Sequence, residues 1–130
     1  MSTVLIAGAS RGVGLELVKQ YAENGDDVIA CVRDTGAASL LDELASGSGN
    51  ITVQQMDVAD PASIEAAAAA IGDRPIDTLI ISAGTVGGGR QSLDDLDLDE
   101  WHNTLNINTI GPTLVAKAFK PNLVASGNGN

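Results

Sequence analysis

Apolar residues in this chain fall into short unbroken runs, separated by longer segments with helical spacing. Val4-Leu5-Ile6-Ala7, Val28-Ile29-Ala30-Cys31-Val32 and Leu79-Ile80-Ile81 have strand length and no polar alternation. That pattern belongs to strands buried on both faces, as in a parallel sheet. They predict strands over Thr3–Ala7, Asp27–Val32 and Thr78–Ser82, and the alternating Ile51–Gln55 predicts one more. Val13, Leu17, Val18 and Tyr21 recur at helical spacing, so a helix is expected from about Gly12 to Asn24, stopped by Asn24-Gly25. A short helix is expected over about Ala37–Ala45, ahead of a polar loop at Ser46–Asn50. Asp60-Pro61 opens an alanine-rich helix that ends near Ile71-Gly72, with Asp60 as cap and Pro61 in the first helical position. Ala83–Leu96 carries four glycines and reads as one long loop, a length that marks functional loops. Asp97 and Glu100 have capping-box spacing, and a long helix should follow to about Phe119.

Strands alternating with helices imply right-handed crossovers and a parallel sheet. The expected fold class is α/β: a Rossmann-like doubly wound sheet of about four strands, order 3-2-1-4, with helices on both faces. Residues 1–125 form one dinucleotide-binding domain in this reading, and 126–130 a flexible tail. Winding reverses beside the first strand, and ligands bind at the carboxyl strand ends of such a switch point. Gly8-Ala9-Ser10-Arg11-Gly12-Val13-Gly14 lies there, between the first strand and the first helix. Gly8 permits a tight turn, and Gly12 and Gly14 open the helix where a phosphate can approach free N–H groups. The bland alternative is an ordinary glycine-rich turn.

Composition narrows the picture. Only Tyr21, Trp101 and Phe119 are aromatic, so the core is built from Val, Ile, Leu and Ala. A net charge of −10 argues against nucleic acid or an anionic membrane surface as partner. It suits a salt-rich setting and an ordinary soluble protein equally. Cys31 is alone, so no disulfide framework is expected. No apolar run has membrane-spanning length, and no basic region precedes the first one. A cytoplasmic protein is the default expectation.

Candidate chemistry sits at the strand ends. Arg33 follows the second strand, where a basic residue would accept a 2′-phosphate, and Arg11 is near enough to share it. Both aim at one pocket, which favours NADP over NAD; alternatively both are solvated surface residues. Asp34 could pair with Arg33 or bond a ribose hydroxyl. Asp57 follows the third strand and could accept from an adenine amino group, or simply form a turn. Pro112 lacks an N–H for the carbonyl of Asn108, so a bend and a free acceptor are expected there, or a tolerated kink. His102 has no Cys or His cluster around it, reads as structural or exposed, and no metal site is expected.

Together these residues resemble the classical short-chain dehydrogenase/reductase family, with a tenor similar to its carbonyl-reductase and C-factor-like members. Gly8 to Gly14 matches the cofactor fingerprint, Asp57-Val58 the adenine-contacting pair, and Ile81-Ser82-Ala83-Gly84 the Asn-Asn-Ala-Gly segment. Asn108-x-x-Gly111 matches the helix asparagine whose carbonyl holds a relay water. The resemblance implies NADP(H), with NAD the less favoured cofactor, and a small carbonyl or alcohol substrate. It also implies cofactor contacts at Gly8, Ser10, Arg11, Gly12, Val13, Gly14, Arg33, Asp57, Val58, Ser82, Ala83 and Gly84. Two departures stand out. Ile81 and Ser82 replace the two asparagines. The catalytic serine and Tyr-x-x-x-Lys are absent: Tyr21, the only tyrosine, has Gly25 four residues on. The chain looks like the first half of such an enzyme. Three readings follow: an oxidoreductase or its cofactor half, an inactive nucleotide-binding or signalling module, or an inert truncated product. A fourth strand left as the sheet edge, and a long helix with uncovered apolar residues, predict a homo-oligomer.

Overall fold

A computed structural model describes all 130 residues. Strands β1 (Thr3–Ala7), β2 (Asp27–Val32), β3 (Ile51–Gln55) and β4 (Thr78–Ile81) form one sheet in the order β3-β2-β1-β4. Every pairing in it is parallel, with Leu5 opposite both Ile29 and Leu79, and Ala7 opposite both Cys31 and Ile81. The expected sheet order therefore holds, as does the doubly wound arrangement.

Successive strand residues face opposite sides of a sheet, and here the two sides feed two cores. Leu5, Ala7, Ile29 and Cys31 pack with Ile64 and Ala67 of α3 (Pro61–Ile71) and with Val115 and Phe119 of α5 (Gly111–Ser126). Val4, Ile6, Val28 and Ala30 pack with Val18 of α1 (Gly12–Glu23) and Leu41 of α2 (Ser39–Ser46). A register slip of one residue would exchange the two sets, so both cores fix the same register.

Three differences from the expected elements have local causes. The second helix begins at Ser39, because Asp34 first caps a 3-10 turn at Thr35–Ala37 by accepting from the Gly36 N–H at 2.9 Å. The long loop contains a hairpin, β5 (Gln91–Ser92) and β6 (Asp95–Leu96), held by Arg90, which reaches Asp95 at 2.8 Å and Asp97 at 3.7 Å. Those carboxylates raise the pKa of Arg90. The long helix is three segments: α4 (Leu98–Leu105), a π-helical turn at Asn106–Ile110, and α5, which continues past Pro121 to Ser126. Buried Asn122 ties that extension to the α3–β4 connection. Its amide donates to the carbonyls of Gly72 and Arg74 at 2.8 Å each, and its carbonyl accepts from Ile76. Beyond it, Asn130 meets the outer edge of β4 in parallel fashion: its N–H donates to Asp77 and its carbonyl accepts from Leu79.

The chain start is fixed by buried Asp26, whose carboxylate accepts from the Ser2 N–H at 2.9 Å, the Ser2 hydroxyl at 2.8 Å and the Asn24 amide at 3.0 Å. The Asn24 and Ser2 bonds hold its pKa below the ordinary value of 3.8. A depressed carboxylate contributes stability that is present above its unfolded pKa and is lost as pH falls through the folded one. Asp26→Asn is therefore expected to melt below wild type at neutral pH, and the two should converge as pH falls below 3.8. Melting curves in buffers from neutral to strongly acidic check this; a gap that does not close in acid refutes it.

Candidate functional site

The carboxyl ends of β1 and β4 are drawn together by backbone bonds. The Ala7 carbonyl accepts from the N–H groups of both Ser82 and Ala83, and the Cys31 carbonyl accepts from both Gly8 and Ala9. Gly8 has φ +85°, and a Cβ there would lie 2.5 Å from the Ala83 nitrogen. Only glycine lets these two strand ends touch. Gly14 is tighter: a Cβ would lie 1.9 Å from the Gly8 carbonyl oxygen, so α1 packs backbone to backbone against the corner. Gly12 differs. It has φ +58°, and a Cβ there would meet nothing within 4 Å, so open space lies above the helix start.

That helix start is unsatisfied. Arg11 is the N-cap and makes no side-chain cap bond, and the first turn of α1 contains no acid. By contrast Asp60 caps α3, and Asp97 caps α4 through the N–H groups of Asp99 and Glu100. An uncapped helix start with free N–H groups and a partial positive charge, facing open space, fits an anion. Ser10 is half-buried, and its hydroxyl makes no hydrogen bond; Val13 is 71% exposed.

The arginines are unevenly engaged. Arg74 pairs with Asp27, and Arg90 with Asp95 and Asp97. Arg11 and Arg33 are exposed and make no ion pair or side-chain hydrogen bond. Asp34 makes no ion pair with Arg33; its Oδ1 accepts from the Gly36 N–H of the 3-10 turn. Two residues overlooked in the sequence hold this corner. Gln55 donates to the Arg33 carbonyl at 3.1 Å, and the Ser63 hydroxyl donates to Gln55.

Asp57 forms a turn: Oδ1 accepts from the Ala59 N–H at 2.9 Å, while Oδ2 keeps no protein partner. Beside it Val58 is buried. On the other flank an open cleft of about 560 Å³ is lined by Arg11, Ala83, Gly84, Thr85, Val86 and Asn108. Asn108 is exposed, and its side chain brackets the Thr85 peptide groups, accepting from the N–H at 2.9 Å and donating to the carbonyl at 2.7 Å. A Cβ on Gly84 would touch the same amide. This clamp was not legible in the sequence, where only the backbone carbonyl of Asn108 stood out.

The cleft thus joins the glycine corner, the loop after β4 and the long helix, but no general acid lines it. Tyr21 lies on α1 against the core. Cys31 is buried, and desolvation pushes its thiol up to about 12, which leaves it inert as a nucleophile. His102 is exposed near the start of α4.

The fold and the sequence are similar to those of known proteins. The NADPH-bound carbonyl reductase from chicken fatty liver superposes with a TM-score of 0.86 at 35% identity, over 95% of this chain and 48% of that one. A Pseudomonas aeruginosa carbonyl reductase in complex with NADP gives 0.86 at 31% identity, over 92% and 55%. The 1-deoxy-11-beta-hydroxypentalenate dehydrogenase of Streptomyces avermitilis is 33% identical over 131 residues, 97% of this chain and 48% of the relative. The chain spans about half the length of the curated relatives it matches. No helix is long and apolar enough to cross a membrane. The sequence model for short chain dehydrogenases matches residues 2–130, and the chain belongs to that family.

Proposed function

We propose that this chain is the cofactor-holding part of an NADP(H)-dependent short-chain oxidoreductase acting on a carbonyl or alcohol. One observation carries the reading: an uncapped helix start at open Gly12, with Arg11 at its cap and Arg33 just past the end of β2, both without partners. The pyrophosphate lies on Ser10–Val13, in the open space above Gly12, while Gly8 and Gly14 close the corner beneath it. Arg11 and Arg33 take the 2′-phosphate. Asp57 and Val58 meet the adenine, and Ser82, Ala83 and Gly84 border the chain of the nucleotide toward the cleft. When bound, the reduced nicotinamide supplies a hydride equivalent to a carbonyl carbon. The chain's own part is to bind, to orient and, through the Asn108 carbonyl, to hold a water. The proton donor comes from residues outside these 130, since no Tyr-x-x-x-Lys occurs among them.

That absence favours a second reading, a nucleotide-binding module without turnover. Titration of NADPH fluorescence tests binding, and NADPH consumption across a panel of carbonyls tests catalysis. Binding is expected, and its absence sinks both readings; binding without turnover by this chain fits both, and turnover by this chain alone overturns the second.

Association of two copies belongs to the same proposal. Leu98, Trp101 and Leu105 lie at helical spacing and are each more than half exposed, and Ile110 follows one π turn later. Asn130 already occupies the Asp77–Leu79 stretch of the β4 edge, which shifts the favoured interface to this helix face. Light scattering at micromolar concentration should return twice 13.2 kDa, falling to the monomer in Trp101→Lys. A wild-type monomer refutes it.

A further inference from the structure

The π turn at Asn106–Ile110 separates two asparagines with different targets. Residues two apart on a helical turn point to nearly opposite sides. Asn108 reaches Thr85 in the loop after β4, whereas Asn106 donates from its amide nitrogen to the Ala59 carbonyl at 2.9 Å, in the loop after β3. One turn of helix therefore grips both loops that border the candidate site.

The grip on the β3 loop is close. Gly111 N–H donates to the Asn106 carbonyl, five residues back, and a Cβ on Gly111 would sit 2.4 Å from the Val58 carbonyl oxygen. Ala59 is held at both polar groups, its N–H by Asp57 Oδ1 and its carbonyl by Asn106. The bond that orients the Asp57 carboxylate thus closes on a residue that Asn106 fixes. Removing the Asn106 amide frees Ala59 and unlocks the turn that sets where Oδ2 of Asp57 lies.

We propose that Asn106 is a positioning residue for base recognition, acting through Ala59 on Asp57 so that this carboxylate accepts from the exocyclic amino group of adenine. The proposal rests on the nucleotide-binding reading above. Its readout is discrimination between bases. NADPH and its hypoxanthine analogue differ at the exocyclic position, where the analogue has an oxygen in place of the amino group. A carboxylate held at that position prefers adenine; a loosened one does not.

The experiment is a fluorescence titration of wild type, Asn106→Ala, Asn106→Asp and Asp57→Ala with both dinucleotides, with melting curves alongside. Asn106→Asp keeps the shape and removes the donor. Wild type should prefer NADPH by about ten- to a hundredfold, the worth of one hydrogen bond to a charged group. Both Asn106 variants and Asp57→Ala should bring that ratio close to one. Asn106 variants that weaken both ligands by one common factor, or leave the ratio intact, overturn the proposal while the nucleotide site stands. A wild type without base preference overturns it equally. A wild type that binds neither dinucleotide removes the underlying reading and the proposal with it. Should Asn106→Ala not fold, Asn106→Asp gives the same decision.

Discussion

Gly14→Ala is expected to destabilise the chain by about 3 kcal/mol, at the upper end of overpacking penalties. The added methyl would lie 1.9 Å from the Gly8 carbonyl oxygen and 2.9 Å from its carbon. Both are backbone atoms, and the Gly8 N–H is anchored to the Cys31 carbonyl at 3.0 Å. No rotamer can relieve the contact, so α1 must lift away from β1, and Val18 leaves the core it shares with Val4 and Ile6. Gly12→Ala supplies the contrast. Its methyl meets no protein atom, and the cost is the left-handed conformation alone, about 1–2 kcal/mol. The two variants should therefore separate stability from binding. Gly14→Ala loses its denaturation midpoint and nucleotide binding together. Gly12→Ala stays folded but fills the space assigned to the pyrophosphate, and its NADPH affinity should drop sharply. Urea titration followed by circular dichroism, with NADPH titration of each, checks both. An unshifted midpoint for Gly14→Ala would show that the corner is looser than its geometry.

The contrast also marks what a sequence of this kind exposes. Continuous apolar runs at Val4–Ala7, Val28–Val32 and Leu79–Ile81 define buried parallel strands almost without context, because nothing else tolerates such runs in a short βα repeat. Gly8, Gly12 and Gly14 are legible as a group, since a strand-to-helix corner leaves few other reasons for three glycines. Their different duties are not: contact with Ala83, open space and contact with Gly8 depend on where other elements arrive. Asp34 shows the limit from the other side. Its neighbours in sequence suggest pairing with Arg33 or a sugar, and only the local 3-10 turn reveals a cap. Pro112 announces a disturbance in the long helix, yet the form it takes, a π turn aiming Asn106 and Asn108 at separate loops, follows from packing against residues 47 and 23 positions away. Side-chain amides such as Asn106, Asn108, Gln55 and Asn122 carry no periodic signal. They become visible only once the carbonyls they satisfy are in place.

Arg33→Ala is expected to lower NADPH affinity by about ten- to a hundredfold while leaving NADH nearly unchanged. Hydrogen bonds to charged groups contribute about 1.5–3 kcal/mol, which converts to that range. The prediction depends on what the guanidinium does without ligand, and here it does nothing: no carboxylate pairs with it, Asp34 included. An arginine already paired would have to exchange one partner for another and gain less. Its backbone is nonetheless fixed, since the carbonyl accepts from Gln55, so the side chain departs from a defined point. Removing an exposed, unpaired side chain should leave the melting temperature where it was, which separates this variant from a folding defect. Arg11→Ala should weaken NADPH binding in the same direction, because the two share one phosphate. The double variant should then lose less than the product of the two single losses, as neighbours acting on one group do not add. The wild-type preference should also narrow as salt rises, because both guanidinia are exposed and screened. Parallel titrations of both dinucleotides at low and high salt decide the matter. An equal loss for NADPH and NADH in Arg33→Ala would remove the 2′-phosphate from this corner, and the choice of NADP would go with it.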